Sequence, residues 1–96
     1  MFARTSTWSG SPEAMQKWAE HAASTVKGFV AGLPGSAGAV FLIDRDGATG
    51  LTLTLWDSED AAAATDKFAE QSRTSTIAAT GAELVARGSY EVVARS

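Results

Sequence analysis

Leu51-Thr52-Leu53-Thr54-Leu55-Trp56-Asp57-Ser58-Glu59-Asp60 is the stretch that decides the fold. Its leucines and threonines alternate at every second residue, which places them on opposite faces of a β-strand. Asp57 or Ser58 can then cap a helix, and the acidic residues that follow complement the positive end of the helix dipole. The stretch therefore predicts a strand that passes into a helix almost without a loop, with Trp56 at the junction.

A second strand is predicted just before this stretch, from Ala37 to Asp44. Asp46-Gly47 is a tight-turn dipeptide, and a hairpin around it pairs Leu42 with Leu51. One face of the resulting sheet, here called the leucine face, consists of Val40, Leu42, Leu51, Leu53 and Leu55. The opposite face, here called the threonine face, consists of Ala39, Phe41, Ile43, Thr52, Thr54 and Trp56.

These two faces predict two different contacts. The helices of one short chain can cover only one face of a small sheet, so the other face needs a further layer. We assign the leucine face to the chain's own core and the threonine face to a second copy of the chain. The sequence therefore predicts a homodimer that forms through the threonine face.

An amphipathic helix is predicted after a first strand, Phe2 to Trp8. Ser11 can cap this helix, and Pro12 suits its first position. Apolar side chains then recur at spacings of three and four residues, and the helix continues to about Val30. The apolar stripe consists of Met15, Trp18, Ala22, Val26, Phe29 and Leu33.

The C-terminal half predicts a second helix from Glu59 to Ser72 and a last strand from Leu84 to Arg95. A break from Arg73 to Thr76 and then an extra turn or short helix from Thr76 to Gly81 separate them, because Ile77 would point outward from a continued helix. The inner stripe of the second helix is predicted to consist of Ala61, Ala64, Thr65, Phe68 and Ser72.

The resulting order is β-α-β-β-α-β in one domain, residues 1–96. Right-handed crossovers fold this order into a four-stranded antiparallel sheet with both helices on one face. The predicted class is therefore α+β, with the ferredoxin-like arrangement.

Composition excludes several classes of function. The chain has no Cys and one His, so neither a disulfide framework nor a thiolate or multi-histidine metal site is expected. Its net charge is −3 without a basic patch, so we expect no nucleic-acid partner. No apolar run approaches the roughly 20 residues of a membrane span, and the N-terminal residues resemble a strand rather than a signal peptide. We expect a cytoplasmic protein without a membrane contact.

The chain resembles the antibiotic biosynthesis monooxygenase-like family, a branch of the dimeric α+β barrel proteins. The resemblance rests on the element order, the second apolar sheet face, the passage from Leu53 to Ala61 and the closing Tyr90-Glu91-Val92-Val93-Ala94. It implies a homodimer whose two sheets pack face to face into a barrel, and a pocket in each subunit between sheet and helices. Some members oxidise polycyclic phenols with dioxygen and no metal or flavin, others degrade haem, and many have no known activity.

Members of known mechanism use an Asn, a Trp, a Tyr and an Arg, or for haem an Asn, a Trp and a His on the second helix. Trp56 lies near the place of the Trp, whereas the chain has no Asn and its second helix has no His. The resemblance therefore implies a cofactor-independent monooxygenase acting on a small aromatic substrate, and not a haem-degrading enzyme. The alternative, which the missing Asn favours, is a non-catalytic dimeric module that binds a small ligand or packs against a partner.

The candidate catalytic residues are His21, Trp56 and Tyr90. Trp56 either lines the pocket or fastens the strand–helix junction. Histidine is the side chain type suited to proton transfer near neutral pH. His21 lies at the boundary of the apolar stripe, so it is either a base or a solvated side chain. Tyr90 is either an acid in the pocket or a core tyrosine whose hydroxyl needs a partner.

The candidate substrate-binding residues are Trp18, Phe68 and Arg73. Trp18 and Phe68 lie on the inner stripes of their helices, where each is either core or pocket wall. Arg73 either complements the dipole of the second helix or binds a ligand. Of the remaining candidates, Arg4 reaches the sheet edge, pairs with Glu91 or faces a ligand, and Trp8 is assigned to core or dimer packing.

Overall fold

The sheet contains four antiparallel strands in the order β2-β3-β1-β4, as the ferredoxin-like prediction requires. The structure, a computed structural model, describes all 96 residues. The strands are β1 (Phe2–Ser9), β2 (Ser36–Asp44), β3 (Thr49–Trp56) and β4 (Glu83–Glu91). The helices are α1 (Pro12–His21), α2 (Lys27–Ala31), α3 (Glu59–Ala64) and α4 (Asp66–Thr80), and a π-helical turn (Ala22–Val26) joins α1 to α2.

Local sequence signals set the hairpin and the helix starts as predicted. Leu42 pairs with Leu51 across β2 and β3. The Ser11 hydroxyl accepts the Ala14 N–H at 3.0 Å and caps α1. Of the two candidate caps before α3, Ser58 fills the role, since its hydroxyl accepts the backbone N–H three residues later at 3.0 Å.

The two faces of the sheet have the opposite roles to those predicted. The helices cover the threonine face, and residues from both layers line one cavity between them. No helix covers the leucine face, where Val40 and Leu42 are 47% and 49% exposed. The prediction of a dimer through the threonine face is therefore wrong. Alternation separates the two faces but does not say which one the helices cover, and the hydroxyls on the covered face line a cavity.

The core is centred on the start of α1 and the end of β1. Its buried members are Trp8, Met15, Trp18 and Ala82. Trp18 and Met15 come from the predicted apolar stripe, which is confirmed for the buried residues of α1. The core therefore closes one end of the space between sheet and helices, and the cavity occupies the rest.

The second helical region differs from its prediction in both bounds and phase. The break falls at Thr65, between α3 and α4, and α4 then runs through Arg73 to Thr80. Phe68, predicted to face inward, is 44% exposed, and Ile77 faces outward with the same exposure. The inward stripe is rich in hydroxyls. Thr65 and Ser72 belong to it as predicted, and Thr76 and Thr80 continue it.

The three threonine hydroxyls can lie inside because each donates to a carbonyl of the preceding helical turn. Thr76 Oγ1 donates to the Ser72 carbonyl at 2.8 Å, and Thr80 Oγ1 donates to the Thr76 carbonyl at 2.7 Å. Such bonds to the preceding turn let a hydroxyl be buried without a partner on another element. Hydrophobic periodicity did not extend this face to Thr76 and Thr80, because neither residue is hydrophobic.

Candidate functional site

A cavity of about 80 Å³ lies between the threonine face and the helices. Ten of its 17 lining residues are hydrophobic, which suits an apolar ring more than a sugar or a nucleotide. Its aromatic walls are Trp8, Trp18, Phe29, Phe41 and Trp56. Hydroxyl groups also line it, from Ser6, Thr52, Thr54, Ser72 and Thr76. The arrangement is that of an aromatic cage with polar contacts along one side.

Strand alternation supplies the floor of the cavity. Arg4, Ser6 and Trp8 occupy alternate positions of β1, and Thr52 pairs with Ser6 on the neighbouring strand. Residues two apart on a strand share a face, so the polar and aromatic side chains of β1 all face the helices. The same rule turns the leucines of β3 away from the cavity.

The π-helical turn forms part of the opposite wall. Ala22 and Val26, at its two ends, both line the cavity. π turns are rare and are found frequently at functional sites. Here the turn continues the helix from Trp18 to Phe29 and keeps both aromatic side chains on the cavity.

Trp56 forms part of the cavity wall, and its indole N–H already has a hydrogen-bond partner. Its indole Nε1 donates to Thr54 Oγ1 at 2.9 Å. The Thr54 hydroxyl in turn donates to the backbone carbonyl of Arg4 at 3.4 Å. Trp56 therefore offers a ligand its ring and not its N–H group.

Trp8 differs from Trp56 in this respect. Trp8 lines the cavity and is only 3% exposed, and its buried indole Nε1 has no hydrogen-bond partner in the protein. The buried Nε of Arg4, on the same strand face, also has none. A buried donor without an acceptor costs about 1–3 kcal/mol, so a ligand oxygen that accepts from it gains the corresponding stabilisation.

Sequence reasoning assigned Trp8 to core or dimer packing and missed this donor. The available signal was the spacing Arg4-x-Ser6-x-Trp8, which puts a charge, a hydroxyl and an indole on one strand face. A face of that composition is unusual for a closed core.

Positive charge gathers at the polar side of the cavity. The Arg4 guanidinium pairs with Asp66 on α4, and not with Glu91. Burial lowers the pKa of the Arg73 guanidinium, and the positive charges of Arg87 and Arg4 lower it further, whereas Glu70 and Asp66 act in the opposite direction. The lowered pKa of Arg73 therefore reflects first the burial of its guanidinium and then the positive charges of the neighbouring arginines.

Solved structures match this fold along nearly the whole chain, whereas no protein-family model and no curated protein matches its sequence. A Streptomyces coelicolor monooxygenase from the gene ActVA-Orf6, in complex with nanaomycin D, is 19% identical, covers 99% of this chain and 91% of its own, and gives a TM-score of 0.69. SnoaB, a cofactor-independent oxygenase from Streptomyces nogalater, is 18% identical over 98% of this chain and 94% of its own, with a TM-score of 0.63. A candidate antibiotic biosynthesis monooxygenase from Deinococcus radiodurans is 14% identical over 100% and 96%, with a TM-score of 0.77.

The chain has the fold of the antibiotic biosynthesis monooxygenases. The resemblance inferred from the sequence is therefore confirmed at the level of the fold. At 14% to 19% identity the fold is what these structures share with the chain. The chemistry has to be argued from the side chains of this cavity.

Three of the six predicted site residues line the cavity of this monooxygenase fold: Trp18, Trp56 and Arg73. The other three do not. His21 is half-buried at the end of α1, and Phe68 is exposed on α4. Tyr90 pairs with Ala3 and therefore lies on the leucine face, where its ring covers Gly88.

The lining contains no Asp, Glu, His or Tyr. Nowhere do three or more side chains of His, Cys, Asp or Glu come together as candidate metal ligands. No helix has the length and apolar character needed to cross a membrane. The ionisable groups available to a molecule in the cavity are the two guanidiniums of Arg4 and Arg73.

Proposed function

We propose that the chain is a cofactor-independent monooxygenase that oxidises a small aromatic substrate in the cavity between the threonine face and the helices. The observation that carries the proposal is the free donor of Trp8 beside Arg4 in an aromatic cavity. Two oxygenases of the same fold, one of them cofactor-independent, support it.

The proposed substrate is an electron-rich phenol that carries an activated methylene group, of the anthrone type. Loss of a proton gives a carbanion conjugated with the phenol, and this anion reacts with dioxygen. One atom of dioxygen becomes the new carbonyl oxygen. The other atom leaves as water with the two methylene hydrogens. The methylene carbon of the substrate supplies all four electrons that reduce dioxygen. No further reductant is needed.

The residues of the cavity stabilise the anion rather than remove the proton. Guanidinium groups at Arg4 and Arg73 favour the charged form of a nearby phenol, and the Trp8 N–H can donate to its oxygen. The aromatic walls exclude water from the anion. Because the lining has no carboxylate, imidazole or phenol, the proton passes to solvent, and the substrate must be acidic in its own right.

Oxygen uptake with anthrone-type and quinol substrates tests this proposal. The purified protein should consume oxygen and form the carbonyl product, and Arg73→Gln should slow both. Lys67→Gln is the matched control, since it removes an exposed cation from the same helix outside the cavity. Uptake no faster than in buffer alone, for every activated phenol tried, would disprove the oxygenase.

The second candidate is a non-catalytic module that binds a small aromatic ligand. The absence of any proton acceptor among the lining side chains favours it. This module would show ligand-dependent thermal stabilisation without oxygen uptake, and Trp8→Phe would weaken the stabilisation. Turnover that depends on Arg73 would rule it out.

We also propose that the chain forms a homodimer through the leucine face. This face carries a continuous aliphatic surface across β2 and β3 that no helix of the chain covers. A second copy presents the same surface, and a two-fold axis brings the two together without leaving an apolar face in water.

A further inference from the structure

The aromatic cavity adjoins a polar groove between α4 and the strands β1 and β4. Arg4, Ser6 and Arg73 line both spaces. The groove adds Arg87, whose strand position is directly opposite Ser6. A polar group at that end of a molecule in the cavity would therefore lie close to the guanidiniums of the groove.

The charges at this junction are unequal. Three guanidiniums, of Arg4, Arg73 and Arg87, line the groove with two carboxylates, of Asp66 and Glu70, which leaves one positive charge in excess. Arg4 with Asp66 is the only ion pair in the protein, so Arg73 and Arg87 have no carboxylate within bonding distance. The Arg4 Nε is buried and unpartnered as well. The junction thus holds N–H donors without an acceptor, and a positive charge that no carboxylate of the protein neutralises.

We propose that Arg4, Arg73 and Arg87 form an anion subsite that binds the carboxylate of an aromatic acid whose ring lies in the cavity. The proposal rests on the proposed function only in that the cavity is the ligand site. Guanidinium groups bind carboxylates through paired N–H donors, and Ser6 supplies a hydroxyl at the same place.

A singly charged acid fits this site better than a phosphate monoester. One excess positive charge matches one carboxylate, whereas a doubly charged phosphate would also face Asp66 and Glu70 across the groove. The class of ligand that this subsite selects is accordingly an aromatic ring with one carboxylate on a short arm.

Asp66 competes with such a ligand for Arg4. The Asp66 side chain is exposed and pairs with the Arg4 guanidinium from outside. Removing its charge frees Arg4 and raises the net positive charge of the subsite. Asp66→Asn should therefore increase the affinity for a carboxylate and leave the affinity for a neutral ring unchanged.

The test compares 2-naphthoate with neutral 2-naphthamide, two probes of the same ring and nearly the same shape. Binding is measured by isothermal titration calorimetry with the full chain. We expect the acid to bind about tenfold more tightly than the amide, as a charge-assisted hydrogen bond allows. Arg87→Gln should remove most of that preference without weakening the amide, because Arg87 does not line the aromatic cavity.

Lys67→Gln is the control for a general loss of positive charge, and circular dichroism checks that each variant is folded. Equal affinity of acid and amide would overturn the anion subsite while leaving the aromatic site and the proposed function in place. A preference that survives Arg87→Gln and does not respond to Asp66→Asn would also overturn it. Failure of both probes to bind would overturn the subsite together with the ligand site itself.

Discussion

The ring of Trp18 packs directly on the backbone of Gly50, so closely that a β-carbon at residue 50 would lie 2.8 Å from two ring atoms. This contact holds α1 against β3 beside the cavity. Only glycine leaves room for it, since Met15 lies against the same point.

Gly50→Ala should destabilise the fold. The added methyl group forces Trp18 or the strand to move, and overpacking of a core costs about 1–3 kcal/mol. The free energy of unfolding, from urea titration followed by tryptophan fluorescence, measures the loss. Gly28→Ala is the control: a β-carbon there meets nothing within 4 Å, so we expect no loss and a slight gain from helix propensity. Equal effects of the two substitutions would contradict the close packing of Trp18 on Gly50.

Trp8→Phe and Trp56→Phe should differ in stability although they remove the same atoms. Trp56 loses a hydrogen bond to Thr54, whereas Trp8 loses only an unpartnered N–H. We expect Trp56→Phe to cost about 1 kcal/mol more in the free energy of unfolding. Chemical denaturation of the two variants side by side gives the difference. A larger cost for Trp8→Phe would mean that its N–H has a partner in the folded protein.

His21→Gln should leave oxygen uptake and its pH dependence unchanged. His21 does not line the cavity, and the lining contains no His, Asp, Glu or Tyr side chain. The rate should instead rise with pH through the pKa of the bound phenol, because the anion is the species that reacts. Rate–pH profiles with two substrates of different acidity provide the measurement. A midpoint that stays fixed between substrates, and disappears in His21→Gln, would make His21 the base.

Leu42→Glu should separate the proposed dimer into monomers of 9.9 kDa. The substitution places a charge in the aliphatic surface of the leucine face, where it would be buried on association. Ile77→Glu is a matched control, since Ile77 is comparably exposed but lies on α4 beside the polar groove, away from the leucine face. Light scattering coupled to size exclusion gives the mass. A monomer already in the unsubstituted protein would rule out the dimer.

Sequence patterns predicted the elements whose signals are local. Ser11 and Pro12 mark the start of α1, and the turn at Asp46-Gly47 sets the pairing of Leu42 with Leu51. Both the helix start and the hairpin depend on residues close to one another in the sequence. Tertiary packing therefore agrees with these local preferences and does not change them.

The choice of the covered sheet face could not be predicted in the same way. The threonine face looked like the weaker core because hydroxyls lower its hydrophobicity, yet those hydroxyls line a cavity that the helices enclose. The hydrophobic pattern also predicted that Phe68 faces inward. Phe68 is exposed, because α4 turns a polar stripe toward the sheet. A hydrophobic pattern identifies a core, and an enclosed cavity whose wall includes hydroxyl groups is the exception to it.

The hydroxyls of α4 make the cavity wall easy to alter. Thr76 donates to the Ser72 carbonyl, which also belongs to the helix ladder, so no other element depends on the Thr76 hydroxyl. Exchanging Thr76 for valine or alanine leaves no buried acceptor without a donor, and it leaves the pairing of the β-strands intact. The specificity of the cavity can consequently diverge by single substitutions along one helix while the scaffold stays constant.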